Sequence, residues 1–211
     1  MRVLVLAGDG DPPASLARAL GPERASRVRR LLVARARAWA AAAFGADVVS
    51  LEASGSLAGA LTDDGAGRRR AGADGRRPGA GHAGAGPAAP GGWPADGGTL
   101  VAIRPELPAW HPELAPAVRD DLAAGCGLAL GPIFDGGLYL LAVAEGALGP
   151  NVLRALDLSG PAGLGDLIAL ARREHRHVGL LRSERGLRRE RDVRALLADP
   201  LTDPELRVLL R

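Results

Sequence analysis

The stretch Gly131-Pro132-Ile133-Phe134-Asp135-Gly136-Gly137-Leu138-Tyr139-Leu140-Leu141-Ala142-Val143 decides how this chain is read. Two apolar runs of strand length, GLALGP (127–132) and LYLLAV (138–143), flank a turn of five residues, Ile133 to Gly137. In that turn an acid precedes two glycines. Residues without a Cβ let the backbone approach a ligand closely, and the acid can face a metal or a sugar hydroxyl. The same tripeptide also makes a plain hairpin turn, so its surroundings have to decide between the two.

Working outward, strands and helices alternate. RVLVLA (2–7) is a buried strand that runs into Gly8, Gly10, Pro12 and Pro13, a loop. Pro22 and Glu23 open a helix that reaches about Phe44 and ends at Gly45. At about 100° per residue, Val28, Leu31, Leu32, Trp39, Ala42 and Ala43 share one side, while Arg29, Arg30 and Arg37 lie on the other. Arg35 falls inside the apolar stripe and must snorkel or pair. ADVVSLE (46–52) is the second strand. Residues 63–97, rich in Gly, Ala, Arg and Pro, hold too little apolar surface to offset the entropy of ordering and read as a mobile loop, with His82 and Trp93 inside it. TLVAIR (99–104) is a strand, followed by a proline-rich turn that carries Glu106, Trp110 and His111. A helix begins at Pro112 and closes near Gly125. Beyond 143, helices are expected at 151–156, 164–175, 190–198 and 203–210, with a strand at 177–181. His175 is expected to cap the C-terminal end of its helix. The pattern predicts a single three-layer α/β domain over residues 1–211, a mostly parallel twisted sheet flanked by helices.

Composition removes several function classes. All 27 basic residues are arginine. The absence of lysine excludes the usual P-loop nucleotidase, Schiff-base and lysine-nucleophile enzymes. A single cysteine, Cys126, excludes an intramolecular disulfide or a Cys-rich zinc site. No apolar run reaches the roughly 18 residues of a membrane span, and MRVLVLAG lacks the pattern of a secretion signal, so the expected location is the cytoplasm. The net charge is only +3, with 47% apolar and 3% aromatic residues, which makes nucleic acid an unlikely partner. Arginine without lysine fits the coding bias of a GC-rich genome. Charge is unevenly placed: Arg104 and Arg119 face six acids in 99–150, whereas arginine predominates beyond 151. Ser15 and Ser183 have no His/Asp pattern around them, so no serine triad is read.

The order of these segments resembles a bacterial family of glycosyltransferase-like proteins known as domain of unknown function 2064. That family is similar to 2-phospho-lactate guanylyltransferase and, more distantly, to nucleotide-diphospho-sugar transferases of the GT-A type. Gly21-Pro22-Glu23 matches the family's first helix start, and Gly131-Pro132 with Asp135-Gly136-Gly137 matches its Gly-Pro-x-x-Asp-Gly-Gly turn. Leu138-Tyr139-Leu140 stands for Tyr-Tyr-Leu. The resemblance implies a GT-A or Rossmann-like fold. It also implies transfer of a nucleotidyl or glycosyl group from a nucleoside triphosphate or nucleotide-sugar donor to an acceptor that the sequence does not name. It places Asp135 and Glu106 as catalytic residues and as ligands of Mg2+ or Mn2+. Gly8, Gly10, Arg18, Arg104, Gly136, Gly137 and Arg188 would hold nucleotide or substrate.

The chain departs from that family at three places. Pro13-Ala14-Ser15 replaces a basic loop, Glu106 replaces a metal-binding Asp, and Gly186-Leu187-Arg188 replaces an Asp-Val-Asp segment, of whose acids only Asp192 remains nearby. Two readings therefore stand. In one, arginine, which binds phosphate bidentately, takes the place of the metal in an active transferase. In the other, catalysis is lost and the protein is a binding or assembly partner. On either reading, the loops after the first strand, 104–111 and 133–137 should meet at the carboxyl ends of the strands, where such sheets bind ligands. For His111 the sequence leaves two placements, reaching Glu106 or standing solvated in its turn, and for Trp110 packing over the sheet end or lining a pocket.

Overall fold

A computed structural model describes residues 1–7, 12–45, 49–52, 98–158 and 162–211. Gly8, Gly10, His82, Trp93 and the 63–97 segment lie outside the described residues. The strands are β1 (Arg2–Leu6), β2 (Val49–Glu52), β3 (Leu100–Ile103), β4 (Leu128–Pro132), β5 (Leu138–Val143) and β6 (Val178–Leu180). The helices are α1 (Ala14–Leu20), α2 (Pro22–Phe44), α3 (Leu114–Ala123), α4 (Pro150–Ala155), α5 (Ala162–Arg173), α6 (Glu190–Ala198) and α7 (Pro204–Leu210). Among the described residues no helix is long and apolar enough to cross a membrane.

The sheet runs β2-β1-β3-β5-β4-β6. β1 pairs parallel with β2 and β3, and β4 pairs parallel with β6. β5 is antiparallel to both of its neighbours. The sheet is thus mixed, which corrects the mostly parallel expectation. The reason is local. Only five residues join β4 to β5, and a parallel neighbour needs a crossover of a dozen residues or more.

Both faces of β1, β3, β4 and β5 are buried, so these strands read as nearly continuous apolar runs. Leu4, Leu6, Leu128 and Leu130 pack on one face against Leu153 of α4 and Leu167, Leu170 and Ala171 of α5. Val3, Val5, Val101 and Ile103 pack on the other against Ala36 and Ala40 of α2 and Leu114 and Val118 of α3. A third cluster joins Leu16 of α1, Val28 and Leu32 of α2, Val193 and Leu196 of α6, and Leu206 and Leu210 of α7.

Two details position the site. The β4–β5 register shifts at Gly131/Pro132, where Leu140 and then Leu138 are the partners, so Tyr139 is an extra residue in the ladder. Such a bulge bends its strand. The Tyr139 ring lies over Gly131, where an added Cβ would come within 2.5 Å of it. Beyond β6 the chain continues alongside β4. Leu181 N–H donates to Leu130 O at 2.9 Å, and Glu184 N–H donates to Pro132 O at 3.0 Å. This carries residues 184–188 across the ends of the strands.

α5 closes in a Schellman arrangement: His175 N–H donates to Arg172 O, Arg176 N–H donates to Ala171 O, and His175 has φ 51°. His175 does end the helix, but through its backbone. Arg35 pairs as expected, with Asp203 at 2.6 Å and Glu205 at 3.1 Å, which ties α2 to α7.

Candidate functional site

The carboxyl ends of β1, β3 and β4 meet the 184–188 segment, and ionised side chains gather there. Glu106 follows β3 by three residues and is only 3% exposed. Its Oε1 lies 2.5 Å from Arg104 Nη2, and its Oε2 lies 3.6 Å from Arg188 Nε. Arg188 also reaches Asp135, Nη1 to Oδ1 at 4.0 Å. One guanidinium therefore stands between the two carboxylates. Asp135 Oδ2 further meets Arg189 Nη2 at 3.5 Å and Arg191 Nη2 at 3.4 Å.

Backbone bonds fix this arrangement. Leu187 N–H donates to Glu106 O at 2.8 Å, and Ser15 Oγ donates to Arg188 O at 2.6 Å. Gly136, with φ 100°, turns the chain so that Ile133 N–H reaches Gly137 O and Asp135 is held at the tip.

A fifth arginine belongs to the same site. Arg29, assigned to the polar side of α2 by the sequence pattern, is 9% exposed and donates from Nη2 to Ala7 O at 2.5 Å, just past the end of β1. Burial pulls its pKa below the ordinary arginine value, and the nearby negative Glu106 pushes in the opposite direction. Arg104 is shifted down for the same reason, with Glu106 again opposing. The helix turns its small Ala25, Ala36 and Ala40 side chains inward, and Arg29 shares that side.

Several hydrogen-bonding atoms here are buried and lack a hydrogen-bond partner among the described residues. They are the donors Arg29 Nε and Arg104 Nη1, and the acceptors Glu106 Oε2 and Asp135 Oδ1. Buried unpaired polar groups are costly and mark a place where a ligand can complete the bonding. Acceptors on a ligand suit the first two, and hydroxyl donors suit the others.

The expected residues divide as follows. Asp135, Glu106, Arg104, Arg188, Gly136 and Gly137 are brought together. Arg18 is exposed on the last turn of α1 and makes no ion pair with the cluster. Asp192 is not a ligand: its Oδ2 accepts from the backbone N–H groups of Arg188 and Arg189, capping α6. His111 turns to Glu113 at 3.8 Å, not to Glu106. Trp110 stacks on Trp39 with ring centroids 4.7 Å apart and meets Tyr139 edge-on, so it packs over the sheet end; it also borders a cleft of about 530 Å³. Arg29, Arg189 and Arg191 escaped the sequence reading. The run Arg188-Arg189-Glu190-Arg191 was the available signal for two of them.

A divalent cation fits this site poorly. No three His, Cys, Asp or Glu side chains are grouped to hold one among the described residues. Both carboxylates already face guanidinium groups, where an oxygen-seeking ion would meet positive charge.

No family model matches the chain, and no curated protein matches it. In solved structures, the chain is similar to a candidate nucleotide-diphospho-sugar transferase from Desulfovibrio desulfuricans G20, with a TM-score of 0.63 and 16% identity. The similarity covers 100% of this chain and 95% of the other. At that identity the likeness is one of fold, a mixed α/β architecture.

Proposed function

We propose that this chain binds a nucleotide or nucleotide-diphospho-sugar at the carboxyl ends of β1, β3 and β4, and acts as a transferase of its nucleotidyl or glycosyl group. The observation that carries this reading is the cluster of buried Arg29 and half-buried Arg104 and Arg188 around the buried Glu106. It stands where α/β sheets bind ligands, in a fold shared with a nucleotide-sugar transferase candidate. Arginines supply phosphate-binding charge, and Asp135 and Glu106 supply acceptors for sugar hydroxyls or for an acceptor's proton. Phe134, 66% exposed beside Asp135 and with the Arg185 guanidinium 5.8 Å from its ring, offers a face on which a base can stack.

A second reading, binding without turnover, is favoured by one observation: both carboxylates are already engaged by arginine. A thermal-shift screen of nucleotides and nucleotide sugars tests the binding. A ligand at a hundred times its Kd should add about 2.7 kcal/mol of stability. Release of nucleoside diphosphate from a stabilising nucleotide sugar (glycosyl transfer), or of pyrophosphate from a stabilising nucleoside triphosphate (nucleotidyl transfer), then separates the two readings. If no nucleotide raises the melting temperature, both fail.

A further inference from the structure

The arrangement of charge at the site points to how the donor would be held. This inference rests on the nucleotide reading above. We infer that this charged cluster takes a diphosphate directly on Arg104, Arg188, Arg189 and Arg191, without a divalent cation, and that Asp135 is an internal competitor for those arginines.

Four features support it. Arg188 lies between Glu106 and Asp135, occupying the place that a shared cation would need. Asp135, 12% exposed, meets three guanidinium groups, of which Arg188 is shared with Glu106 and Arg191 with Asp192. Arg189 and Arg191 are 49% and 59% exposed, so they can turn toward an arriving anion without unpacking the core. Arg104 Nη1 is buried and without a hydrogen-bond partner, within the field of Arg188. A diphosphate carries more charge than a carboxylate and presents oxygens at the spacing of a guanidinium fork, so it should win the exchange. Binding then draws arginine away from Asp135 and leaves that carboxylate available to a donor group on the ligand.

This arrangement reverses the sign of a familiar substitution. If Asp135 held a metal for the phosphates, Asp135→Asn would weaken binding. If it competes with them, Asp135→Asn strengthens binding. Calorimetric titration of inorganic pyrophosphate, UDP and GDP, each in EDTA and in Mg2+, reads the difference, with melting curves to establish that each variant is folded. In EDTA the wild type should bind pyrophosphate and at least one nucleoside diphosphate. Asp135→Asn should tighten that binding several-fold, and Arg188→Ala should weaken it about tenfold or more. Arg191→Gln, at an exposed position, should weaken it by a smaller factor. Binding that requires Mg2+, or that Asp135→Asn weakens, overturns the inference while leaving nucleotide recognition standing. Binding in EDTA that neither arginine substitution changes also overturns it. Pyrophosphate binding without any nucleotide binding would uphold the arginine site and remove the nucleotide reading. Binding of neither would remove both.

Discussion

Glu106 shows what a single buried charge commits its surroundings to. Its carboxylate is the counter-charge for Arg104 and Arg188, and its field offsets the burial of Arg29. Removing one partner of a buried ion pair leaves the other uncompensated, which costs about 3–5 kcal/mol. Glu106→Gln keeps the shape and removes the charge, so urea denaturation should show a loss of that order with an unchanged slope. Asp203 is the opposite case, an exposed acid whose effect is read through pH. The hydrogen bond from Arg35, then the one from Leu206 N–H, holds its carboxyl below the usual Asp range. Its folded value is lower than its unfolded value of about 4. The stabilisation is therefore complete above the unfolded value and is lost as pH falls through the folded one. Wild type should melt above Asp203→Asn at neutral pH, and the gap should close in acid. A gap that persists at pH 2 would show that the charge is not its source.

Among the elements, the β4–β5 hairpin has little room for change at Gly131. Gly131→Ala would drive a methyl into the Tyr139 ring and should cost about 1–3 kcal/mol, with a lowered melting temperature. It should also disturb the turn that presents Asp135. Most elements were legible in the sequence for identifiable reasons. Pro22 and Gly45 mark the two ends of α2, and the apolar runs of β1, β4 and β5 are strands buried on both faces. The antiparallel setting of β5 was also available, in the length of its turn. α1 was not, because its seven residues carry no side-chain cap and follow Pro12-Pro13, which read as loop. The pattern misplaces Arg29 because it centres the stripe of α2 near Val28 and Trp39, whereas the buried side is turned toward Ala25, Ala36 and Ala40. The side that meets the sheet is lined by alanines, and alanine gives a periodicity argument little weight. Asp135 and Glu106 could be singled out from their local strings. Arg188 could be singled out too, by the resemblance, but its place between the two carboxylates depends on contacts far along the chain, which no local pattern encodes.

At the scale of the molecule, the uneven charge of the sequence is resolved in space. The acid-rich middle contributes Glu106 and Asp135, and the arginine-rich final third lays Arg188, Arg189 and Arg191 against them. Arginines that suggest a polyanion-binding surface when counted are in part consumed internally, which also explains why a pI of 10.2 says little about nucleic acid. The bond from Ser15 to Arg188 spans 173 positions. Contacts of such sequence separation are slow to form, because the chain must first bear the entropy of closing the loop. Helices and the β4–β5 hairpin can assemble early, yet the candidate site exists only after the first and last parts of the chain have met. In a refolding experiment, capture of pyrophosphate should therefore lag behind the recovery of far-ultraviolet ellipticity. Coincident recovery of the two signals would contradict this order. The site would then serve as a built-in reporter of completed folding, since a chain that has regained its secondary structure but not its end-to-end closure would have nothing with which to bind.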